Sequence, residues 1–317
     1  MLEVVFLLLG FIIIIKSSDI LVDCATSLAI RCKVPKMLIA LTIVAFGTCA
    51  PEVAISFQSV ASNNGTVAFA NVVGSCIVNT FLIIGLAALI RPIRVKHATI
   101  KKELPILLII TTGFVVLMLD SVFNPLTSNT FSRADGIILI LLFCMFVSYI
   151  VQLLKKKDDD AEQMKPTYTN IPLILLLLVG SIICITLSSD VIVDNAVALA
   201  EKLNVSEKVI TMVLIVIGTS LPEMVMTITS ARKKEFDMAI GNIIGTNIFN
   251  ICIVLGLPIV IYGDLVLESF NLADIITVFL TSFLLYIFAR SEREVSKKEG
   301  IIMLLIFISY YICLIVG

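Results

Sequence analysis

The 317-residue sequence contains no tryptophan and a single histidine, and its eight cysteines form no Cys-x-x-Cys pair. The histidine, His97, lies in a basic stretch, so we expect no histidine-based metal centre or catalytic centre. Most cysteines fall in apolar runs, where a free thiol behaves as a small hydrophobic side chain. A disulfide framework and a zinc site are therefore not expected. The N-terminal apolar run lacks a basic segment and a small-residue cleavage site, so we interpret it as a retained membrane span.

Apolar residues are what the chain has in abundance. They make up 59% of the sequence, and the mean hydropathy is +1.10, whereas soluble domains are about 45–50% apolar. The composition predicts an all-α polytopic membrane protein, with lipid as its surroundings and no nucleic-acid partner. Hydropathy predicts ten spans of about 20 residues each. The predicted spans are 2–22, 36–61, 66–90, 103–120, 134–154, 171–190, 206–231, 237–262, 270–290 and 299–316.

Lysine and arginine are distributed very unequally between the predicted connections. The loops on one face carry 19 of them, and the loops on the other face carry three, namely Arg133, Lys202 and Lys208. Basic loops stay on the cytoplasmic side, so we expect both termini outside the cell and a location in the plasma membrane. Lys16 lies inside the first predicted span, where Asp19 is one turn away and is expected to pair with it.

One stretch occurs twice. Residues 45–79 and 216–250 carry the same motifs, with Glu52 and Glu223 171 positions apart, and 22 of 70 gap-free paired positions are identical. Each copy holds five predicted spans, an odd number, so the second copy enters the membrane inverted. Inverted repeats with interrupted helices are typical of secondary transporters.

The chain is therefore predicted to have a first five-helix repeat at 1–154, a polar cytoplasmic linker at 155–170, and a second repeat at 171–317. The linker is too short for a folded regulatory domain. Its Asp158–Asp160 run is interpreted as a solvated loop, with weak calcium binding as the alternative.

Each copy places a Gly-Thr-x-x-Pro-Glu motif inside an apolar run. The proline has no N–H, so the carbonyls of Gly47 and Gly218 lose their helical partners, and helices 2 and 7 are expected to be discontinuous. A glutamate at membrane depth costs about 2.5 kcal/mol or more and indicates a functional site. Freed carbonyls, hydroxyls and Glu52 or Glu223 would together form an oxygen cage for a hard cation. The alternative is a pair of protonated structural carboxyls.

A second polar pattern follows each motif. Asn71, Gly74, Ser75 and Asn79 in one copy, and Asn242, Gly245, Thr246 and Asn250 in the other, have spacings that place them on one helix face. Small residues on such a face are also common where membrane helices pack together. Their repetition at a fixed distance from a Pro-Glu motif favours binding.

The paired motifs GTCAPE and GTSLPE, followed by NVVGSCIVN and GNIIGTNIFN, resemble the two alpha-repeats of the cation/calcium antiporter superfamily, and most closely those of prokaryotic sodium/calcium exchangers. The resemblance covers both repeats. The cation ligands that it implies are the carboxylates of Glu52 and Glu223, oxygens of Thr48 and Thr219, the hydroxyls of Ser75, Thr246 and Ser220, the amides of Asn79 and Asn250, and the backbone carbonyls of Ala45 and Val216. Cys49 replaces the first copy's motif serine, and a thiol is a poor ligand for a hard cation, so Cys49 would contribute only its carbonyl.

The resemblance implies a monomeric antiporter, not an enzyme, that exchanges Na⁺ for Ca²⁺ without other cofactors, with spans 1 and 6 sliding to alternate access. Potassium-dependent relatives carry aspartate where this chain has Asn250, which favours potassium-independent transport. The alternatives are exchange of another divalent cation, proton coupling or potassium dependence. A channel is less consistent with inverted repeats and broken helices. An intramembrane enzyme is less consistent with the sequence, since no His or Asp in a span accompanies Ser75 or Ser220.

Overall fold

The structure is a computed structural model that describes residues 2–62, 64–119, 130–155, 165–202, 216–266 and 272–316. The described chain is mostly helical. Six of its helices are long and apolar enough to cross a membrane, or seven if one bent pair counts as a single span. The protein is therefore an integral, multi-pass membrane protein, as the composition predicted. Part of the predicted span 206–231, the Asp158–Asp160 run and Lys208 lie outside the described residues.

In the described part of the chain, the helices alternate with four two-residue strands. The helices are α1 (Leu2–Cys32), α2 (Lys36–Thr48), α3 (Ala50–Ala61), α4 (Gly65–Ile90), α5 (His97–Lys101), α6 (Glu103–Leu117), α7 (Arg133–Leu154), α8 (Ile171–Lys202), α9 (Val216–Thr219), α10 (Leu221–Arg232), α11 (Phe236–Tyr262), α12 (Leu272–Ser291) and α13 (Lys297–Val316). The strands are β1 (Ile93–Arg94), β2 (Thr130–Phe131), β3 (Leu265–Val266) and β4 (Glu294–Val295).

Helices α1 and α8 pack along one another and are longer than the spans 2–22 and 171–190 predicted for them. Hydropathy falls after Asp19, which is why the predicted span ended early. The helix nevertheless continues, because its later turns bury Leu28 and Ala29 against the rest of the protein. Earlier in α1, large apolar side chains such as Leu8 and Ile12 are exposed, as expected for a surface in contact with lipid.

Ion pairs connect elements that are distant in sequence. Lys36 at the start of α2 lies 2.6 Å from Glu235, in the connection between α10 and α11. The α8 residue Lys202 lies 2.5 Å from Glu3 of α1. The Lys202 side chain is 60% exposed, so its pair contributes little free energy alone, whereas the side chains of Lys36 and Glu235 are mostly buried. Both pairs join helix ends that are distant in sequence.

The predicted pair between Lys16 and Asp19 is not formed in the described structure. Lys16 is exposed, and Asp19 instead faces Lys233, whose Nζ lies 3.5 Å from Asp19 Oδ1 and 2.7 Å from Asp23 Oδ1. Asp19 and Asp23 lie one turn apart on the same face of α1, and this face packs against α10. A cation from the neighbouring element therefore pairs with both carboxylates.

The strands join the two halves of the chain. β1 pairs antiparallel with β4, with Ile93 opposite Val295. β2 pairs antiparallel with β3, with Phe131 opposite Leu265. Each two-stranded ribbon thus takes one strand from each half of the sequence.

Candidate cation site

Both Gly-Thr-x-x-Pro-Glu motifs interrupt a helix. α2 ends at Thr48, and Cys49 leaves helical geometry with φ −75° and ψ 4° before α3 begins. The axes of α2 and α3 are bent by 51°. In the second copy Ser220 has nearly the same conformation, with φ −90° and ψ 9°, between α9 and α10. The sequence predicted these interruptions, because the proline in the first turn of the following helix cannot donate to the preceding turn.

A second irregularity follows in each copy and was not predicted. Helix α4 contains a π-helical segment at Val78–Ile84, and α11 contains one at Asn250–Leu255. Asn79 and Asn250 therefore both lie at the start of a widened turn. Such turns are rare and occur frequently at functional sites.

The two motif glutamates are fully buried. Glu52 and Glu223 are each 0% exposed, and negative charges on both carboxylates would repel each other. Within the described part of the chain, none of their four carboxylate oxygens has a hydrogen-bond partner, and the ion pairs found there involve other carboxylates. Because unpaired buried charges are very costly, this arrangement calls for a cation or a proton.

Unpartnered polar atoms concentrate around these glutamates. Of the thirteen buried side-chain oxygens and nitrogens without a hydrogen-bond partner in the described residues, eleven belong to the two repeated stretches. They are both oxygens of Glu52 and of Glu223, Ser75 Oγ, Asn79 Oδ1, Ser220 Oγ, Asn242 Oδ1, Thr246 Oγ1, and both Oδ1 and Nδ2 of Asn250. Buried polar groups are normally hydrogen-bonded. A cluster rich in carboxylate, hydroxyl and amide oxygens has the donor chemistry that hard cations such as Ca²⁺ take.

Residues from the two copies meet at this cluster. Thr48 and Cys49 of the first copy lie beside the Glu223 carboxylate of the second. Cys49 also lies beside Thr246. The structure thus brings residues of both repeats together around the Glu223 carboxylate.

A glycine allows the close approach of α11 to α2. A Cβ added to Gly245 would lie 2.8 Å from the Cβ of Ala45 and 2.8 Å from the carbonyl oxygen of Leu41. Any larger residue would push the two helices apart and separate Thr246 from the first copy's motif.

Three predicted ligands are not among these buried groups without a hydrogen-bond partner. The carbonyl of buried Ala45 accepts a hydrogen bond from Thr48 Oγ1 at 3.3 Å. Thr219 is only partly buried. Val216 begins α9, and its side chain lies outside the described part.

Three hydrogen bonds that the sequence interpretation missed support the glutamate helices. Asn71 Nδ2 donates to Ser56 Oγ at 3.1 Å and to the backbone oxygen of Glu52 at 3.2 Å. Asn242 Nδ2 donates to Thr227 Oγ1 at 3.1 Å. Ser56 and Thr227 are themselves 171 positions apart, one turn after each glutamate, and that repeat was the signal that could have revealed them.

Comparison with known proteins identifies the family of the chain. Residues 2–152 and 173–316 match the family described as sodium/calcium exchanger protein. The chain belongs to the sodium/calcium exchanger family. It is a family of transporters, and the resemblance seen in the motifs is confirmed.

Relatives of this exchanger family match most of the chain. The inner membrane protein YrbG of Escherichia coli is 36% identical over 263 residues, 80% of this chain and 78% of that protein. The sodium/calcium exchanger MaX1 of Methanosarcina acetivorans is 27% identical over 97% of both chains. The structure of the sodium–calcium exchanger NCX_Mj, soaked with 2.5 mM Na⁺ and 0.1 mM Ca²⁺, superposes with a TM-score of 0.83 at 28% identity, covering 98% of this chain and 97% of that one.

Proposed function

We propose that this protein is a secondary active antiporter that exchanges Na⁺ for Ca²⁺ across the cell membrane. The observation that carries the proposal is the pair of fully buried glutamates, Glu52 and Glu223, whose carboxylate oxygens lack partners in the described structure. The named exchangers MaX1 and NCX_Mj, which match nearly the whole chain, support sodium and calcium as the exchanged ions.

Competition for one set of carboxylates is sufficient for coupling. Two negative charges are neutralised by one Ca²⁺ or by two Na⁺, so the same site accepts either load but not both. The hydroxyls of Ser75, Ser220 and Thr246 and the amides of Asn79 and Asn250 would complete the coordination, since Ca²⁺ takes six to eight oxygens. One chain holds all of these groups, so the protein would act as a monomer.

Alternating access would come from α1 and α8 moving together against the rest of the bundle. These two helices pack along one another, and α8 contacts both motifs. A Cβ at Gly47 would meet Ile182 of α8 at 2.5 Å, and a Cβ at Gly218 would meet Val193 of α8 at 2.3 Å. In this proposal the chain has ten spans in two inverted five-helix halves, and sliding α8 exposes one motif while covering the other.

The proposed orientation places both termini outside the cell. It rests on the 19-to-3 distribution of lysine and arginine between the loops of the two faces. Where the sodium gradient is directed inward, the exchanger would extrude Ca²⁺ as Na⁺ enters.

Transport is proposed to be independent of potassium. The argument is charge balance in a site that excludes water. Asn250 is fully buried and neutral, so Glu52 and Glu223 supply the only carboxylates proposed as ligands. Potassium bound together with calcium would leave one positive charge unmatched.

The test is isotopic calcium uptake into vesicles that contain the purified protein, with sodium, proton and potassium gradients imposed one at a time. An outward sodium gradient should drive uptake, and the other two should not. Uptake driven by protons, or a sodium-driven uptake that needs potassium, would replace this function with one of the alternatives. Calcium flux down its own gradient that requires no exchanged counter-ion would indicate a channel.

A further inference from the structure

The two central asparagines, Asn79 and Asn250, occupy equivalent places in the two copies but have different surroundings. Asn79 Nδ2 donates to Asn247 Oδ1 at 3.1 Å, and Asn247 Nδ2 donates to Thr80 Oγ1 at 3.0 Å. Neither polar atom of the Asn250 side chain has a hydrogen-bond partner in the described structure.

The difference follows from the sequence of the two copies. The position equivalent to Asn247 in the first copy is Cys76, and the position equivalent to Thr80 in the second copy is Ile251. A thiol is a weak acceptor, and isoleucine has no polar side-chain atom. The chain of hydrogen bonds that holds Asn79 therefore has no counterpart around Asn250.

Holding the amide by its nitrogen has a chemical consequence. The oxygen and nitrogen ends of an asparagine side chain have nearly the same shape, but only the oxygen can bind a cation. Because Asn247 accepts from the nitrogen of Asn79, the oxygen is left pointing away from that contact, and it is buried without a partner. Asn247 itself is 1% exposed, so bulk solvent does not compete for its hydrogen bonds.

We propose that Asn247 is a positioning residue, which fixes the Asn79 amide with its oxygen toward the cation, whereas Cys76 leaves Asn250 free to turn. This inference rests on the proposed function and deepens it. The first copy's half of the site is ready for a cation before binding, and the second copy's half must orient its amide when the ion arrives. Preorganisation of this kind increases affinity by reducing the cost of ordering.

The experiment is a double-mutant cycle read by equilibrium binding of Ca²⁺ to the purified full-length protein. Asn247→Cys should weaken Ca²⁺ binding about three- to tenfold, the effect of one buried hydrogen bond. In an Asn79→Ala background the same change should have no further effect, because Asn247 acts only through Asn79. Thr80→Val, which removes the end of the chain and keeps Asn247, should weaken binding about twofold.

The reverse substitution distinguishes positioning from packing. Cys76→Asn gives Asn250 an acceptor and should tighten Ca²⁺ binding about two- to threefold. Maximal sodium-driven flux should stay within about twofold in Asn247→Cys while the apparent KM for Ca²⁺ rises. Melting of each variant without cations shows whether it is folded.

The possible outcomes distinguish failure of the positioning role from failure of the proposed exchange. An additive effect of Asn247→Cys in the Asn79→Ala background, or unchanged Ca²⁺ affinity in a folded Asn247→Cys variant, overturns the positioning role. Wild-type protein that binds Ca²⁺ but shows no sodium-driven flux overturns the proposed exchange. The double-mutant cycle can still be measured by Ca²⁺ binding in that case. Wild-type protein that does not bind Ca²⁺ overturns both.

Discussion

Replacing Glu223 by glutamine should weaken Ca²⁺ binding by orders of magnitude and yet leave the cation-free protein at least as stable as the wild type. The substitution keeps the size of the side chain and removes one of two buried charges. Glu52 and Glu223 are both 0% exposed, so two ionised carboxylates there would repel each other when no cation is bound. Two like charges that lack partners destabilise the cation-free state, and removing one relieves that cost.

The loss of binding can be estimated from Coulomb's law and from the cost of breaking buried ion pairs. A carboxylate about 4 Å from a divalent cation gains roughly 8 kcal/mol at an effective dielectric constant of about 20. Desolvation of both partners offsets much of this gain. Removing one partner of a buried ion pair costs about 3–5 kcal/mol net, and each 1.4 kcal/mol is tenfold. Affinity for Ca²⁺ should therefore fall on the order of 10²- to 10³-fold.

The assay is thermal unfolding of the purified protein with and without Ca²⁺. A ligand at 100 times its Kd stabilises the folded state by about 2.7 kcal/mol, so wild-type protein should melt higher with Ca²⁺ and Glu223→Gln should not. Glu103 offers a matched control. It is also buried, with one carboxylate oxygen hydrogen-bonded by Tyr149 and the other unpartnered, but it lies outside the motifs. Glu103→Gln should keep the full Ca²⁺ effect.

Two results would refute this reasoning. Ca²⁺ stabilisation of Glu223→Gln equal to that of the wild type would show that the cation binds elsewhere. A cation-free Glu223→Gln protein that melts well below the wild type would show that the carboxylate has a structural partner.

Three further predictions concern orientation, ion coupling and helix contacts. In a cysteine-free background, a cysteine at Asn64 should react with an impermeant reagent from outside and one at Lys234 only from the cytoplasmic side; the reverse labelling would overturn the orientation. Wild-type flux should be the same with potassium or an inert cation, and Asn250→Asp should acquire a potassium requirement or become strongly pH-dependent; a wild type that stalls without potassium would remove Asn250 as the determinant. Lys233→Gln should lower the free energy of unfolding by about 1 kcal/mol or less, since the Lys233 side chain is 27% exposed. The substitution removes a contact that holds one face of α1. Cys24, which is buried in the wild type, should therefore react faster with a small maleimide. Unchanged Cys24 reactivity would show that Lys233 does not hold α1 in place.

Much of the site was predictable because its signals are local. A proline three residues after Thr48 or Thr219 removes a backbone donor wherever the helix lies, and both interruptions were found where predicted. A glutamate in an apolar run is costly in any membrane fold. The class of protein followed from composition alone.

What the sequence did not reveal depends on the other half of the chain. The π-helical turns at Asn79 and Asn250 have no compositional signature. Asn247 is one of several polar residues in a mostly apolar helix, and its role depends on Asn79 and Thr80, more than 160 positions away. Asp19 was assigned to nearby Lys16 because Lys233 is distant in sequence and near only in the fold.

The ribbons that join the two halves have a consequence for synthesis. Ile93 pairs with Val295, so about 200 further residues are synthesised before β1 can pair with β4. At translation rates of about 5–20 residues per second, this takes roughly 10–40 s. During that interval the first half is already in the membrane with an unpaired strand edge, although a strand of two residues offers little for a wrong partner to pair with. The two ribbons therefore form only after their strands in the second half have been synthesised.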